Sequence, residues 1–326
     1  MFSPTIAGIL VILVLMTLIT SPYLSYSTTA EDLNQTEVEA EAEEERKVDM
    51  DVYKNNPLVI VNLLANELET RINKSGAILE IISRLPEVRS TPFAHLISPE
   101  LHGIPADADV LKRKIAQDIL AADKDFQVIF SLMPNGDVYF LEPYSRQENL
   151  TGNNFAFRGY YKGAIETGNT YLDDVVISAS SGRPQTNIAV PIYSENNGTL
   201  IGVWGGGLNL TSLSKSLQSL NLTSAGERVV YVDRQGQKIA DSAGDNQALR
   251  RNTNESFAGL QSFMNAINGE SGSMTETING TLTTVSYHPV KAFSNVWIVL
   301  FMQPSDDGVV SDNTTIIQND LPIQDE

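Results

Sequence analysis

Between Pro57 and Pro86 one apolar stripe runs along the chain. Val61, Leu64, Leu68, Ile72, Leu79 and Ile82 recur at three-, four- and seven-residue spacings, which place them on one helix face. Proline suits the first position of a helix and cannot continue inside one, so Pro57 marks a start and Pro86 a stop. A helix of that length spans roughly 40 Å at about 1.5 Å per residue. Such an edge has to be covered. Two coverings fit it: the chain's own sheets, or a second copy of the helix in a homodimer. The spacing alone does not choose between them.

Strand patterns begin at Phe126. FQVIFSLM and DVYFLEP flank Pro-Asn-Gly, a hairpin signal because Asn-Gly accepts positive φ. Leu200–Leu208, LIGVWGGGL, reads as a strand whose glycines allow close backbone approach. RVVYVDRQGQKIADS and SMTETINGTLTTVSY are two further hairpins, and Asn295–Gln303 is a continuous apolar run of the buried-strand type. Helical patterns cover about Ala106–Ala122, a segment from Thr211 with Leu213, Leu217 and Leu220 on one face, and Phe257–Ile267. The expected class is α+β: a long N-terminal helix followed by two modules built on antiparallel strands. The division predicted is 52–224 for the helix and first module, 225–304 for the smaller second module, and 305–326 for a polar acidic tail.

The N-terminal end differs in kind. Ile6 to Ile19 is almost wholly apolar and no charge precedes Glu31, so residues 1–28 read as a signal peptide or an N-terminal membrane anchor. From Glu31 to Asp51 ten acids face two bases, Arg46 and Lys47, which makes 29–51 an acidic disordered linker. This stretch carries −8 and the tail after Gln303 carries −6, leaving −4 of the formal −18 for everything between. No basic face remains for phosphates, so nucleic acid is excluded as a partner. Nine Asn-x-Ser/Thr sequons occur, at Asn34, Asn73, Asn149, Asn197, Asn209, Asn221, Asn254, Asn279 and Asn313. Chance would give roughly four, so the excess favours glycosylation. Leader and sequons together predict an extracytoplasmic glycoprotein, secreted or anchored by its N-terminal segment. The polar tail has no apolar run long enough to span a bilayer. The expectation is a binding protein without an output domain of its own, working with a membrane signalling protein.

Catalytic chemistry is sparse. There is no cysteine, which removes disulfides, thiolate catalysis and Cys-ligated metal. His95, His102 and His288 lie far apart, and no H-E-x-x-H or G-x-S-x-G motif occurs. Neither an enzyme nor a metal or cofactor is expected. The densest group of ligand-gripping side chains lies instead in Phe155–Tyr193. Arg158 offers a planar fork of donors suited to a carboxylate. Tyr160 and Tyr161 follow at once, then Tyr171, Asp173 and Asp174. Val175–Ser178 and Thr186–Tyr193 read as extended runs around the turn Ser-Ser-Gly-Arg-Pro, so a basic and aromatic loop leads into a hairpin. Arg158 either takes a ligand carboxylate under Tyr160 or Tyr161, or pairs with Glu166, Asp173 or Asp174 and staples the loop. The tyrosine faces would also suit a cationic amine. Adjacent acids in a strand face opposite ways, so Asp173 and Asp174 could serve glycosidic chemistry together only from a loop.

Arg158 to Ala164 reads R-x-aromatic-aromatic-x-x-A; Thr167-Gly168, the paired acids, S-x-x-x-G-x-P from Ser178 and I-A-V-P-I from Ile188 follow. This wording resembles the distal half of a double Cache domain, an extracellular ligand-binding module of chemoreceptors and sensor kinases. The resemblance spans roughly Asp51 to Pro304. It implies two PAS-like modules on a long N-terminal helix, with a small ligand in the distal one. It also implies that Arg158, Tyr160 and Tyr161 stand where amino-acid-binding members keep an Arg, a Trp and another aromatic, with Tyr160 in place of the Trp. Those members hold the ligand's amino group with acids. The nearest positions here are Ser178 and Gly207, and neither supplies a charge. The expected ligand is therefore a small carboxylate or other polar metabolite, bound by Arg158, Tyr160, Tyr161, Tyr171, Asp173 and Asp174. The alternative is a cell-surface glycoprotein that works through protein contacts.

Overall fold

The computed structural model describes residues 56–194, 196–220, 222, 226–243 and 255–309. The expected leader, the acidic linker and the sequons Asn34, Asn221, Asn254 and Asn313 lie outside these residues, as does the tail beyond Val309. No helix among the described residues is long and apolar enough to cross a membrane.

The apolar stripe forms one helix, α1 (Pro57–Ile82). Asn56 caps it by accepting the Val59 N–H at 3.4 Å, and Pro57 takes a position whose N–H would have no helical partner. The helix ends where the Ser83 N–H closes on the Leu79 carbonyl at 2.8 Å, and Pro86 opens a separate turn, α2 (Pro86–Arg89). The remaining helices are α3 (Val110–Ala122), α4 (Tyr144–Glu148), α5 (Gly159–Thr167), α6 (Leu210–Gln218) and α7 (Gln261–Ile267).

The first module holds β1 (Phe126–Leu132), β2 (Val138–Glu142), β3 (Tyr171–Leu172), β4 (Val176–Ile177), β5 (Pro184–Gln185), β6 (Asn187–Tyr193) and β7 (Leu200–Leu208). Five of these make an antiparallel sheet in the order β2-β1-β7-β6-β3, and β4 and β5 pair with each other. The second module holds β8 (Arg228–Val232), β9 (Lys238–Asp241), β10 (Gly272–Ile278), β11 (Thr281–Ala292) and β12 (Asn295–Val309), in the order β10-β11-β12-β8-β9. The Asn279-Gly280 turn between β10 and β11 has φ of 50° and 79°, the left-handed pair a tight hairpin requires. The buried face of α1, which includes Val61, Leu64, Leu68, Ile72 and Leu79, packs on β11 and β12 of the second sheet and on β6 and β7 of the first. The chain's own sheets thus cover the stripe.

Four local readings change. The helix expected from Ala106 starts at Val110, because the Ile104, Pro105 and Ala108 carbonyls are held by the buried Arg113 guanidinium, each at 3.1 Å. The basic and aromatic loop is the helix α5: Arg158 sits extended at its cap and Gly168 closes it at φ 67°. The two runs around Ser-Ser-Gly-Arg-Pro do not pair with each other. The Ser178 N–H closes on the Arg183 carbonyl at 2.9 Å, so the turn is used up in the short β4–β5 ladder, and β6 joins β3 and β7. Strand β12 continues past Gln303 to Val309, where it pairs with Thr281 at the far end of the long β11.

The modules meet at Leu172–Val175. The Asp174 carboxylate accepts Arg234 Nε at 2.9 Å, Gln235 Nε2 at 3.0 Å and Asn295 Nδ2 at 3.0 Å. Asn295 also donates to the Leu172 carbonyl at 3.1 Å, and the Val175 N–H donates to Asp233 at 3.0 Å. In the turn between β11 and β12, Phe293 takes φ 54°, and its ring lies on Gly76 of α1. A Cβ on Gly76 would meet Phe293 Cζ at 2.0 Å. Gly76→Ala is therefore expected to destabilise by about 1–3 kcal/mol despite alanine's better helix propensity. In a Phe293→Ala background the same change should stabilise by about 0.5–1 kcal/mol. Thermal unfolding of the four chains checks the reversal of sign.

The second module also carries a compact ion cluster. Arg228 bridges Asp241 and Glu255 at 2.6 Å each, and Lys238 bridges the same two at 3.0 Å each. Burial opposes ionisation of both carboxyls, but hydrogen bonds and charge from Arg228 and Lys238 prevail and hold them below their ordinary values of 3.8 and 4.5. Their contribution to stability is complete above 4.5 and is lost as pH falls past 3.8 into the depressed range. Thermal unfolding against pH should show this acid limb, and it should shrink in Glu255→Gln.

Candidate ligand-binding site

On β1, Val128, Phe130 and Leu132 alternate onto one face and form an apolar floor. The start of α5 and the β4–β5 hairpin stand over that floor and leave a cavity of about 50 Å³. This is room for roughly four water-sized groups. Its polar lining comes from Arg158 and Tyr160 at the start of α5, Ser178 and Ser180 after β4, Gln185 on β5 and Asn187 on β6. No carboxylate lines it among the described residues.

Arg158 takes the cap position of α5, with its guanidinium 5.1 Å from the Phe157 ring centre and 5.9 Å from that of Phe155. It has no acidic partner among the described residues, so the stapling alternative is not the arrangement found. Tyr160 packs its ring on Phe130, with centroids 5.3 Å apart. Burial pushes its phenol well above the ordinary range, and the Arg158 charge works the other way. One residue further round the helix, Tyr161 points elsewhere and donates to the Pro134 carbonyl at 2.6 Å. Tyr171 lies flat on Gly163 of α5, outside the lining.

The two acids lie between β3 and β4 and part there. Asp174 belongs to the joint between modules. Asp173 is buried under the start of α5, where its Oδ1 would be 2.3 Å from a Cβ on Gly159. Its Oδ2 is buried without a hydrogen-bond partner. Burial raises its pKa, and the N–H groups of Tyr160 and Asp174 oppose this only in part. Neither acid lines the cavity. Ser180, Gln185 and Asn187 were not singled out from the sequence. For Gln185 and Asn187 the signal was polar residues at two-residue spacing entering an otherwise apolar strand, which alternation alone assigns to a solvent face.

A family model described as a Cache domain matches residues 35–311. The chain belongs to the double Cache family. Methyl-accepting chemotaxis protein PscA of Pseudomonas syringae pv. tomato is 33% identical over 100 residues, 31% of this chain and 15% of that protein. The chain thus spans a small part of that relative. The ligand-binding domain of the Pseudomonas fluorescens chemoreceptor CtaA, in complex with L-alanine, superposes with a TM-score of 0.54 at 18% identity, over 78% of this chain and 97% of that one. The periplasmic sensory domain of the Campylobacter jejuni chemoreceptor Tlp1 gives 0.57 at 15% identity, over 77% and 94%. The mixed α/β architecture is that of these domains, and the family makes this double Cache chain a sensor-type binding domain.

Asp173 gives a test of the site's electrostatics. Its folded pKa lies above the unfolded 3.8, so its favourable contribution is complete below 3.8 and is lost as pH rises through the raised value. Asp173→Asn should therefore raise Tm at pH 7 and leave it nearly unchanged at pH 3.5, as read by thermal unfolding at the two pH values.

Proposed function

We propose that this double Cache chain senses a small carboxylate that carries no free ammonium group, held in the distal module, the one built on β1–β7. The observation that carries this reading is Arg158: a guanidinium in the cavity lining, set against aromatic rings, with no ion-pair partner among the described residues. A guanidinium fork matches a carboxylate in shape and charge. The CtaA domain described above has an amino acid as its ligand. Here the lining supplies nothing negative for an ammonium. The space beside Gly207 is occupied by the Gln185 amide, whose Nε2 would stand 2.3 Å from a Cβ at that position. In this reading Arg158 takes the carboxylate, Tyr160 closes over the ligand, and binding favours one conformation of the domain over another.

The chain is read as extracytoplasmic, secreted or anchored by its N-terminal segment, and as presenting the ligand state to a membrane signalling protein. Asn73, Asn149, Asn197 and Asn279 are exposed, which supports glycosylation there. Leu58, Leu63 and Ile81 stay exposed on the outer side of α1, which supports pairing of two copies through that helix.

Thermal shift of the full chain against small carboxylates, amino acids and amines tests the ligand class. A ligand at about 100 times its Kd adds roughly 2.7 kcal/mol. At roughly 2–4 °C per kcal/mol the shift is well above noise. Carboxylates should shift Tm and Arg158→Ala should abolish the shift. Shifts by amines alone, or shifts retained in Arg158→Ala, would overturn the reading.

A further inference from the structure

A line of amides runs from the surface of the distal module to the cavity. Arg146 on α4 donates from Nη2 to Gln127 Oε1 at 3.2 Å. Gln127 Nε2 donates to Gln185 Oε1 at 3.2 Å, and Gln185 Nε2 donates to Asn187 Oδ1 at 2.6 Å. Chemistry fixes the direction of this line at its outer end. A guanidinium can only donate, so the atom of Gln127 that faces it is the oxygen. Gln127 Nε2 also meets the Leu208 carbonyl at 3.1 Å, and a carbonyl can only accept. Two independent neighbours therefore pin the same orientation. With Gln127 donating, Gln185 accepts and its nitrogen points on to Asn187. Asn187 then accepts through Oδ1, and its Nδ2 is left with no partner among the described residues, on a side chain that lines the cavity.

The backbone is shaped for this line. Between β1 and β7 the pairing passes from Phe126↔Leu208 to Val128↔Gly207, which leaves Gln127 as the extra residue of a bulge. In a regular strand Gln127 would face away from Val128 and the cavity; a bulge re-aims the side chain. At the next step Gly207 leaves open the space in which the Gln185 amide lies.

We propose that Arg146, Gln127 and Gln185 are positioning residues that hold Asn187 with its N–H groups toward the cavity, so that the ligand presents a second acceptor oxygen to Asn187 besides the carboxylate on Arg158. This rests on the cavity being the ligand site. It narrows the ligand class to small oxo- or hydroxy-acids over their amino counterparts. Gln127 does not line the cavity, yet its amide decides the polarity of the wall.

The test uses the full chain and four three-carbon acids, pyruvate, L-lactate, propionate and L-alanine, which differ at C2 alone. In calorimetric titration the wild-type chain should bind pyruvate tighter than L-alanine by on the order of tenfold or more, because pyruvate's C2 oxygen gains a hydrogen bond where L-alanine's ammonium meets a donor and is left unpaired. Gln127→Glu keeps one oxygen on Arg146 and turns an acceptor to Gln185, giving up the hydrogen bond to the Leu208 carbonyl. Gln185 and Asn187 must then both turn over, and the Asn187 carbonyl faces the cavity. L-alanine should draw level with pyruvate or pass it, and Asn187→Asp should give the same reversal directly. A ligand-free readout accompanies this. The Gln185 Nε2 protons should show nuclear Overhauser contacts to the Gly207 α-protons, lost in Gln127→Glu. An unchanged ranking in Gln127→Glu, or an equal weakening of all four acids, overturns the relay, as does a wild-type chain that binds none of them. Wild-type binding that survives Arg158→Ala would instead overturn the ligand reading, and the nuclear Overhauser contacts would still report whether the amides are ordered as described.

Discussion

The buried face of α1 is common to both sheets. Leu64, Leu68, Ile72 and Leu79 are at most 3% exposed, with β6 and β7 of one module and β11 and β12 of the other lying against the helix. Each methylene taken out of water contributes about 0.8 kcal/mol, so neither sheet can leave the helix without a large loss. The long β11–β12 hairpin lies along the same helix and ends on it, through Phe293 on Gly76. That contact is tight enough to need a glycine on one side and a left-handed residue on the other.

The wall of the cavity and the joint between modules are parts of one short segment. Leu172, Asp174 and Val175 are hydrogen-bonded to Asn295, Arg234, Gln235 and Asp233 of the second module. The next residues, Val176 to Ser178, line the cavity. One continuous stretch of backbone thus joins the cavity wall to the second module.

Charge is distributed with the same logic. Arg113 spends its donors on Glu142, Gln147 and four carbonyls, Arg228 spends its own on Asp241 and Glu255, and Arg234 is held by Asp174. Cations paired in this way, buried as Arg113 is or exposed as Arg234 is, hold the fold's own acids. Arg158 differs from all three, because its neighbours are ring faces and open space. Its side chain is half-buried among the residues that line the cavity.

The long helix, the two antiparallel modules and the Asn-Gly hairpins were legible in the sequence, because periodicity and turn chemistry are local. The wording from Arg158 to Ile192 was enough to place the chain in its family. Local information also named Arg158 and Tyr160, which both line the cavity. It could not separate Tyr160 from Tyr161, because only the packing of α5 on β1 decides which of two adjacent tyrosines faces the floor. It could not tell that Asp174 joins two modules, since its partners stand some sixty and more than a hundred residues away. Gln127 was the least legible. Its role depends on a bulge, and a bulge is a property of two strands paired in a particular register. By itself the sequence determined which elements form and which side chains carry charge. The tertiary structure decided which of those charges pair within the protein, because pairing depends on distance in space rather than along the chain.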